Sequence, residues 1–139
     1  MKRGFGIRVG LVFAALAALA VLPAAASAKN EKVVVCKHGC DYRTIQDAVD
    51  NTGNNATISV KPGKYVEGVI VKGHKHDGLT IKGTKKNAKK VILEGKNAHD
   101  DQGNLAQNAI EGINVDGLRM LNMWGRNYAA NGFFIRGTK

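Results

Sequence analysis

A chain of 139 residues has room for one domain at most. It is basic, with 21 Lys and Arg against 11 Asp and Glu for a net charge of +10, which points to acidic partners or to lysines that only keep the chain soluble. After the first 28 residues no segment is apolar enough to span a membrane as a helix, so no membrane-spanning helix is expected there.

The chain opens on an export signal. Lys2, Arg3 and Arg8 form a positive start, and Val9 to Leu22 is an uncharged apolar run. Pro23 breaks the run, and Ala26-Ser27-Ala28 reads as a cleavage site. The 14 apolar residues fall short of the roughly 20 that a membrane anchor needs. Lys2-Arg3-Gly4-Phe5 lacks the first arginine of a twin-arginine signal, so ordinary Sec export is expected. Removing residues 1–28 leaves 111 residues and takes the charge from +10 to +7. The expected product is secreted, extracellular or in the cell envelope, with no transmembrane segment once the signal is gone. Export sets nucleic acid aside as a partner. Uronate polymers, wall phosphates and anionic lipid remain.

Cys36 and Cys40 bracket Lys37-His38-Gly39. An oxidising destination favours a disulfide, and Gly39 eases the tight turn. So small a loop contributes about 2 kcal/mol. A metal site built on His38 would need a second Cys/His pair at zinc spacing, which the sequence lacks. Residues 44 to 51 then read as a two-turn helix. Thr44 is a good N-cap, Asp47 sits where a capping box places its acid, and Gly53 lies just past the end. Ile45, Ala48 and Val49 share one face, which suits a cap over the first of the strands that follow.

From about residue 57 one phrase recurs: apolar, any residue, apolar, charged, glycine. It appears at Val69 to Gly73, Leu79 to Gly83, Val91 to Gly95, Ile113 to Gly117 and Phe133 to Gly137. Ile58-Ser59-Val60-Lys61-Pro62-Gly63 is the same phrase with a proline inserted. The closing glycines step by 10, 10, 12, 22 and 20 residues, one short strand plus a turn or twice that. Apolar residues two apart share a strand face. The hairpin dipeptides Asp77-Gly78, Asp116-Gly117 and Asn131-Gly132 do not recur between every pair of strands. The spacing therefore predicts an all-β fold, a right-handed parallel β-helix (solenoid) of about 22 residues per coil with an N-terminal capping α-helix. The domain runs over 29–139. No covering element follows Gly137-Thr138-Lys139, so the solenoid is expected to be C-terminally incomplete, its open end meeting further coils or another chain.

Tyr42-Arg43-Thr44-Ile45-Gln46-Asp47-Ala48-Val49-Asp50, followed by Val60-Lys61-Pro62-Gly63-Lys64-Tyr65-Val66-Glu67-Gly68, resembles the start of pectin methylesterases. It also resembles uncharacterised exported proteins of the pectin-lyase-like superfamily. The likeness covers residues 41 to 95. It implies a cap helix, T-I-Q-x-A-V, and a strand, V-x-P-G-x-Y-x-E, that opens the first coil. The esterase's catalytic glutamine, aspartates and arginine would lie on later coils, and those motifs are absent here. So are the aspartate clusters of polygalacturonases and pectate lyases.

Several groups carry candidate chemistry. Lys72, Lys75, Lys82, Lys85, Lys86, Lys89 and Lys90 form the densest charge run; as a stripe across strands they would hold a polyanion, and as a solvated edge they would discourage aggregation. Trp124 and Tyr128 flank Arg126 and Asn127, a pattern suited to stacking on a sugar ring, although the favoured reading has Met120, Met123 and Trp124 fill the core. Asn122, Asn127 and Asn131 suit ladders of turn amides. Asp100 and Asp101 could bind Ca²⁺ or act as acid and base, but with Gln102, Gly103 and Asn104 around them the favoured reading is a solvated turn; no other cofactor is indicated. His74, His76 and Asp77 share a turn, where two histidines are too few for a metal and Lys75 repels a cation. The reading that results is an exported β-helix repeat protein or fragment, associated with acidic polysaccharide or cell-wall polymer and without a recognisable catalytic set. The alternatives are the N-terminal part of a lyase, esterase or hydrolase acting on acidic polysaccharide, and a structural or adhesive solenoid.

Overall fold

The computed structural model describes residues 30–137, so the expected export signal lies outside the described residues. They form ten short strands, one α-helix and two 3-10 turns. The strands are β1 (Lys32–Val35), β2 (Thr57–Val60), β3 (Gly63–Tyr65), β4 (Val69–Lys72), β5 (Thr80–Gly83), β6 (Val91–Glu94), β7 (Asn108–Ile113), β8 (Arg119–Leu121), β9 (Trp124–Arg126) and β10 (Asn131–Arg136). Helix α1 spans Ile45–Asp50, and the 3-10 turns span His74–His76 and Ala88–Lys90. The fold is all-β.

The strands make three sheets, ordered β1-β2-β5-β8, β3-β6-β9 and β4-β7-β10, and every pairing between them is parallel. From β2 onward, consecutive strands go to the first, second and third sheet in turn, three times over. Register then stacks like on like. Val33, Ile58, Ile81 and Met120 form one inward row, and Tyr65 and Leu93 lie in another. Val69, Ile110 and Phe133 form a third. Ile58, Ile81, Leu93 and Ile110 are fully buried, as period-two alternation requires of an inner face. Phe133 and Ile135 continue the inward rows of the third sheet but stay 42% and 40% exposed.

Five of the six strand phrases coincide with strands. The sixth does not: β7 ends at Ile113, and Asn114-Val115-Asp116 is the turn that follows. Its apolar residues mimic a strand because Val115 is buried under the turn. The glycines also divide into two kinds. Gly73 and Gly117 adopt φ of 85° and 66°, a left-handed corner that disfavours a side chain. Gly83 and Gly95 have ordinary φ but lie under the next pass of chain, where a Cβ would strike the carbonyl oxygens of Asn122 and Asn127. Asn122 and Asn127 themselves take left-handed corners, at φ of 56° and 60°. Asn131 does pair amide to amide, with Asn108 at 3.1 Å.

Helix α1 buries Ile45, Ala48 and Val49 against β1, β2 and β4. Thr44 Oγ1 accepts the Asp47 N–H at 3.1 Å, as expected of the N-cap. The acid that completes the cap is Glu67, not Asp47: its carboxylate accepts the N–H groups of Ile45 and Gln46, each at 3.0 Å. Gln46 lies along β4, the edge strand of the third sheet, accepting the Ile70 N–H at 2.7 Å and donating to the Ile70 carbonyl at 3.2 Å. The amide thus mimics a neighbouring strand and closes an otherwise open edge. At the other end Asn51 is the C-cap, with φ of −102°, so Gly53 supplies no left-handed stop.

Candidate functional site

The outer face of the second sheet gathers the cationic and aromatic groups. In β3, β6 and β9 the residues Lys64, Ile92 and Trp124 share a register row and point away from buried Tyr65 and Leu93. Strand separation of about 4.8 Å sets Lys64 and Trp124 about 10 Å apart along the row. Trp124 is 40% exposed and is not core, whereas Met123 is buried and Met120 packs partly against the core. Two residues on, Arg126 places its guanidinium 5.3 Å from the Trp124 ring centre. Its Nε donates to Glu94 at 2.9 Å, using one of five guanidinium N–H donors.

Glu94 is the anchor of this face. Asn127 Nδ2 donates to it at 2.7 Å and the Lys96 N–H at 3.3 Å. The Asn127 bond holds its carboxyl below the ordinary range; burial opposes the shift, and the Lys96 and Arg126 contacts assist it. The side chain is only 8% exposed, so Glu94 fixes Arg126 without competing for a ligand outside. Tyr128 turns inward and donates its hydroxyl to the Glu67 carbonyl. Burial first, then the charges of Glu67 and Glu94, pushes its pKa far up and keeps it a neutral donor.

The 3-10 turn Ala88–Lys90 packs beside β6 and β9, with Asn87 Oδ1 accepting the Lys89 N–H at 3.0 Å. Lys89 and Lys90 are therefore exposed next to the Trp124–Arg126 strand, and Lys85 and Lys86 are exposed on the approach to that turn. Lys72 and Lys82 stand elsewhere: Lys72 ends β4 in the third sheet, and Lys82 lies in β5 of the first. One flat aromatic face beside several cations can stack on the apolar face of a sugar ring while pairing with carboxylates.

Cys36 and Cys40 are disulfide-bonded. Their sulfurs are thereby withdrawn as metal ligands for His38. Asp100 lies in the 95–107 segment, where its Oδ1 accepts the N–H groups of Gln102 and Asn104 at 3.0 and 2.8 Å. That arrangement is a self-closing turn, with Asp101 exposed beside it. Asp100 also lines a small cleft, open to solvent, with Gln107, Asn108 and Glu111. Glu111 is engaged there by Asn108 at 3.2 Å and Arg136 at 3.4 Å. The two histidines of the 3-10 turn diverge: His74 is exposed and bonded to Asp77, and His76 is 2% exposed.

Sequence reasoning did not find the roles of Glu67, Gln46 and Glu94. Glu67 and Gln46 sat inside quoted motifs, but their partners lie 21 to 24 residues away, so local spacing carries no signal for them. Among the described residues no helix is long and apolar enough to cross a membrane. No family model, curated protein or solved structure matches this chain.

Proposed function

We propose that the chain is an exported right-handed parallel β-helix of the pectin-lyase-like kind, and that it binds acidic polysaccharide on the outer face of its second sheet. The rotation of strands among three parallel sheets supports the β-helix reading. The Cys36–Cys40 disulfide and the signal-like residues 1–28 support export. The observation that carries the binding surface is Trp124, 40% exposed on a strand face and stacked against a guanidinium fixed by Glu94. Trp124 meets the sugar ring, and Arg126, Lys64, Lys85, Lys86, Lys89 and Lys90 meet its carboxylates.

Calorimetric titration of the full chain with polygalacturonate tests this, with a neutral galactan as control. Binding is expected at low salt, weakening as salt rises toward 0.2 M because screening shortens the reach of exposed charges to about 7–8 Å. Trp124→Ala is expected to weaken binding about tenfold, equivalent to about 1.4 kcal/mol. A Lys89→Ala/Lys90→Ala pair should cost more than Lys72→Ala/Lys82→Ala. Absence of binding to any acidic glycan at low ionic strength overturns the proposal.

A further inference from the structure

Outside that face, two turns that are distant in sequence bring together three metal-ligating side chains. The first turn carries His74 and Asp77, and the second carries Asp116. One donor atom from each lies within 4.8 Å of the others. Two hydrogen bonds fix the stacking, one between backbones and one to a side chain: the Gly78 N–H donates to the Asp116 carbonyl at 2.8 Å, and the Asp116 N–H donates to Asp77 Oδ1 at 2.8 Å. Gly117 lies directly against Gly78, so the two turns sit in contact. Within the first turn the Asp77 N–H donates to the His74 carbonyl at 3.2 Å, holding imidazole and carboxylate on one side. The donors are thus assembled by the backbone, before any ligand arrives.

The geometry points to a divalent-cation site of the zinc type, formed by His74 Nδ1 and one carboxylate oxygen each from Asp77 and Asp116. His74 Nδ1 and Asp77 Oδ2 are 3.1 Å apart. Two ligands at zinc bond lengths of about 2.0–2.2 Å span such a gap at an angle near 100°, between octahedral and tetrahedral values. One nitrogen and two oxygens suit zinc with water in the remaining position, as in open three-ligand sites. Calcium is disfavoured, because it takes six to eight oxygens and this set offers an imidazole. His74 is 70% exposed, so the ion has a path from solvent. Lys75 on the same turn is also exposed, and solvent screens its charge. Nδ1 meets the metal as the lone-pair nitrogen of the neutral imidazole, with the ring proton on Nε2. The ion would clasp two turns that are 39 residues apart in the chain.

Calorimetric titration of the full chain with Zn²⁺, in chelator-treated buffer, tests the site, alongside Ca²⁺ and Mg²⁺. One equivalent of Zn²⁺ is expected to bind. Loss of even an outer-shell partner costs about 10–100-fold in metal affinity, so His74→Gln should weaken Zn²⁺ by at least about tenfold. Asp116→Asn should do the same, and a His38→Gln/His99→Gln variant should bind as the parent does. Because Asp116→Asn could disturb the turn, the visible spectrum of bound Co²⁺ supplies a second measure: His74→Gln should change it and His38→Gln should not. Absence of Zn²⁺ binding up to 1 mM, or equal affinity in parent and His74→Gln, overturns the site. So does a preference for Ca²⁺.

Discussion

Glu67→Gln examines how helix α1 is held, with a sign that can fail. The Glu67 carboxylate accepts the first two N–H groups of α1 across 21 and 22 residues of chain. A glutamine keeps one oxygen and turns an NH₂ group toward donors that need acceptors. Losing such a cap bond and leaving an N–H unsatisfied costs about 1–2 kcal/mol, which lowers Tm by about 5–10 °C in a domain of this size. The pH dependence follows from burial. Desolvation raises the Glu67 pKa; the Ile45 and Gln46 N–H bonds oppose the shift, Asp47 adds to it and Lys37 reduces it. A carboxyl whose folded pKa lies above its unfolded value binds its proton more tightly in the folded state. Its contribution to stability is therefore largest in acid and declines as pH rises through the folded pKa. The variant lacks that titration, so the gap in Tm between parent and Glu67→Gln should narrow from pH 4 to pH 7. Circular-dichroism melts across that range measure the gap directly. A gap that widens with pH would show that the N–H bonds outweigh burial, and the account of this cap would be wrong.

His76 gives the opposite slope: burial first, then Lys75, lowers its pKa against a smaller opposing effect of Asp50, so stability should fall as pH drops through its unfolded value near 6.5. In urea titrations at pH 5 and pH 7.5, His76→Leu should reduce that loss, and an unchanged slope would refute the assignment. Ile81→Ala, at a fully buried position between Ile58 and Met120, should cost about 2–5 kcal/mol in chemical unfolding. Gly83→Ala should destabilise markedly in thermal melts because its Cβ meets the Asn122 carbonyl, whereas Gly132→Ala, with its nearest neighbour 3.9 Å away, should be tolerated. Reducing Cys36–Cys40 should cost about 2 kcal/mol, the value for a very short loop, as read by unfolding with and without reductant.

Much of the β architecture could be read from local pattern. Val69–Lys72 and Val91–Glu94 announce themselves because alternation of apolar residues is a property of neighbours in the chain. Thr44 as N-cap and the buried face of Ile45, Ala48 and Val49 were legible for the same reason. β8 and β9 were not, since strands of three residues are too short to show a period. The phrase at Ile113 to Gly117 misled because a buried valine in a turn imitates a strand. The candidate surface was legible as a list of lysines and one tryptophan, but not as a place.

The amino-acid order by itself determined which residues of the clearer strands face inward, the helix at residues 45–50 and several of the points where the chain turns, because these follow from side-chain alternation and backbone preference within a few residues. Only the tertiary structure decided which turn lies on which. Parallel pairing joins residues 23 to 41 positions apart, as with Thr57 and Thr80 or Val69 and Ile110. At that separation no local pattern could set Asp116 beside Asp77, Arg126 over Glu94, or Glu67 at the start of α1. Those contacts arise from stacking the inner rows, and the charged groups outside are carried to their neighbours by that register.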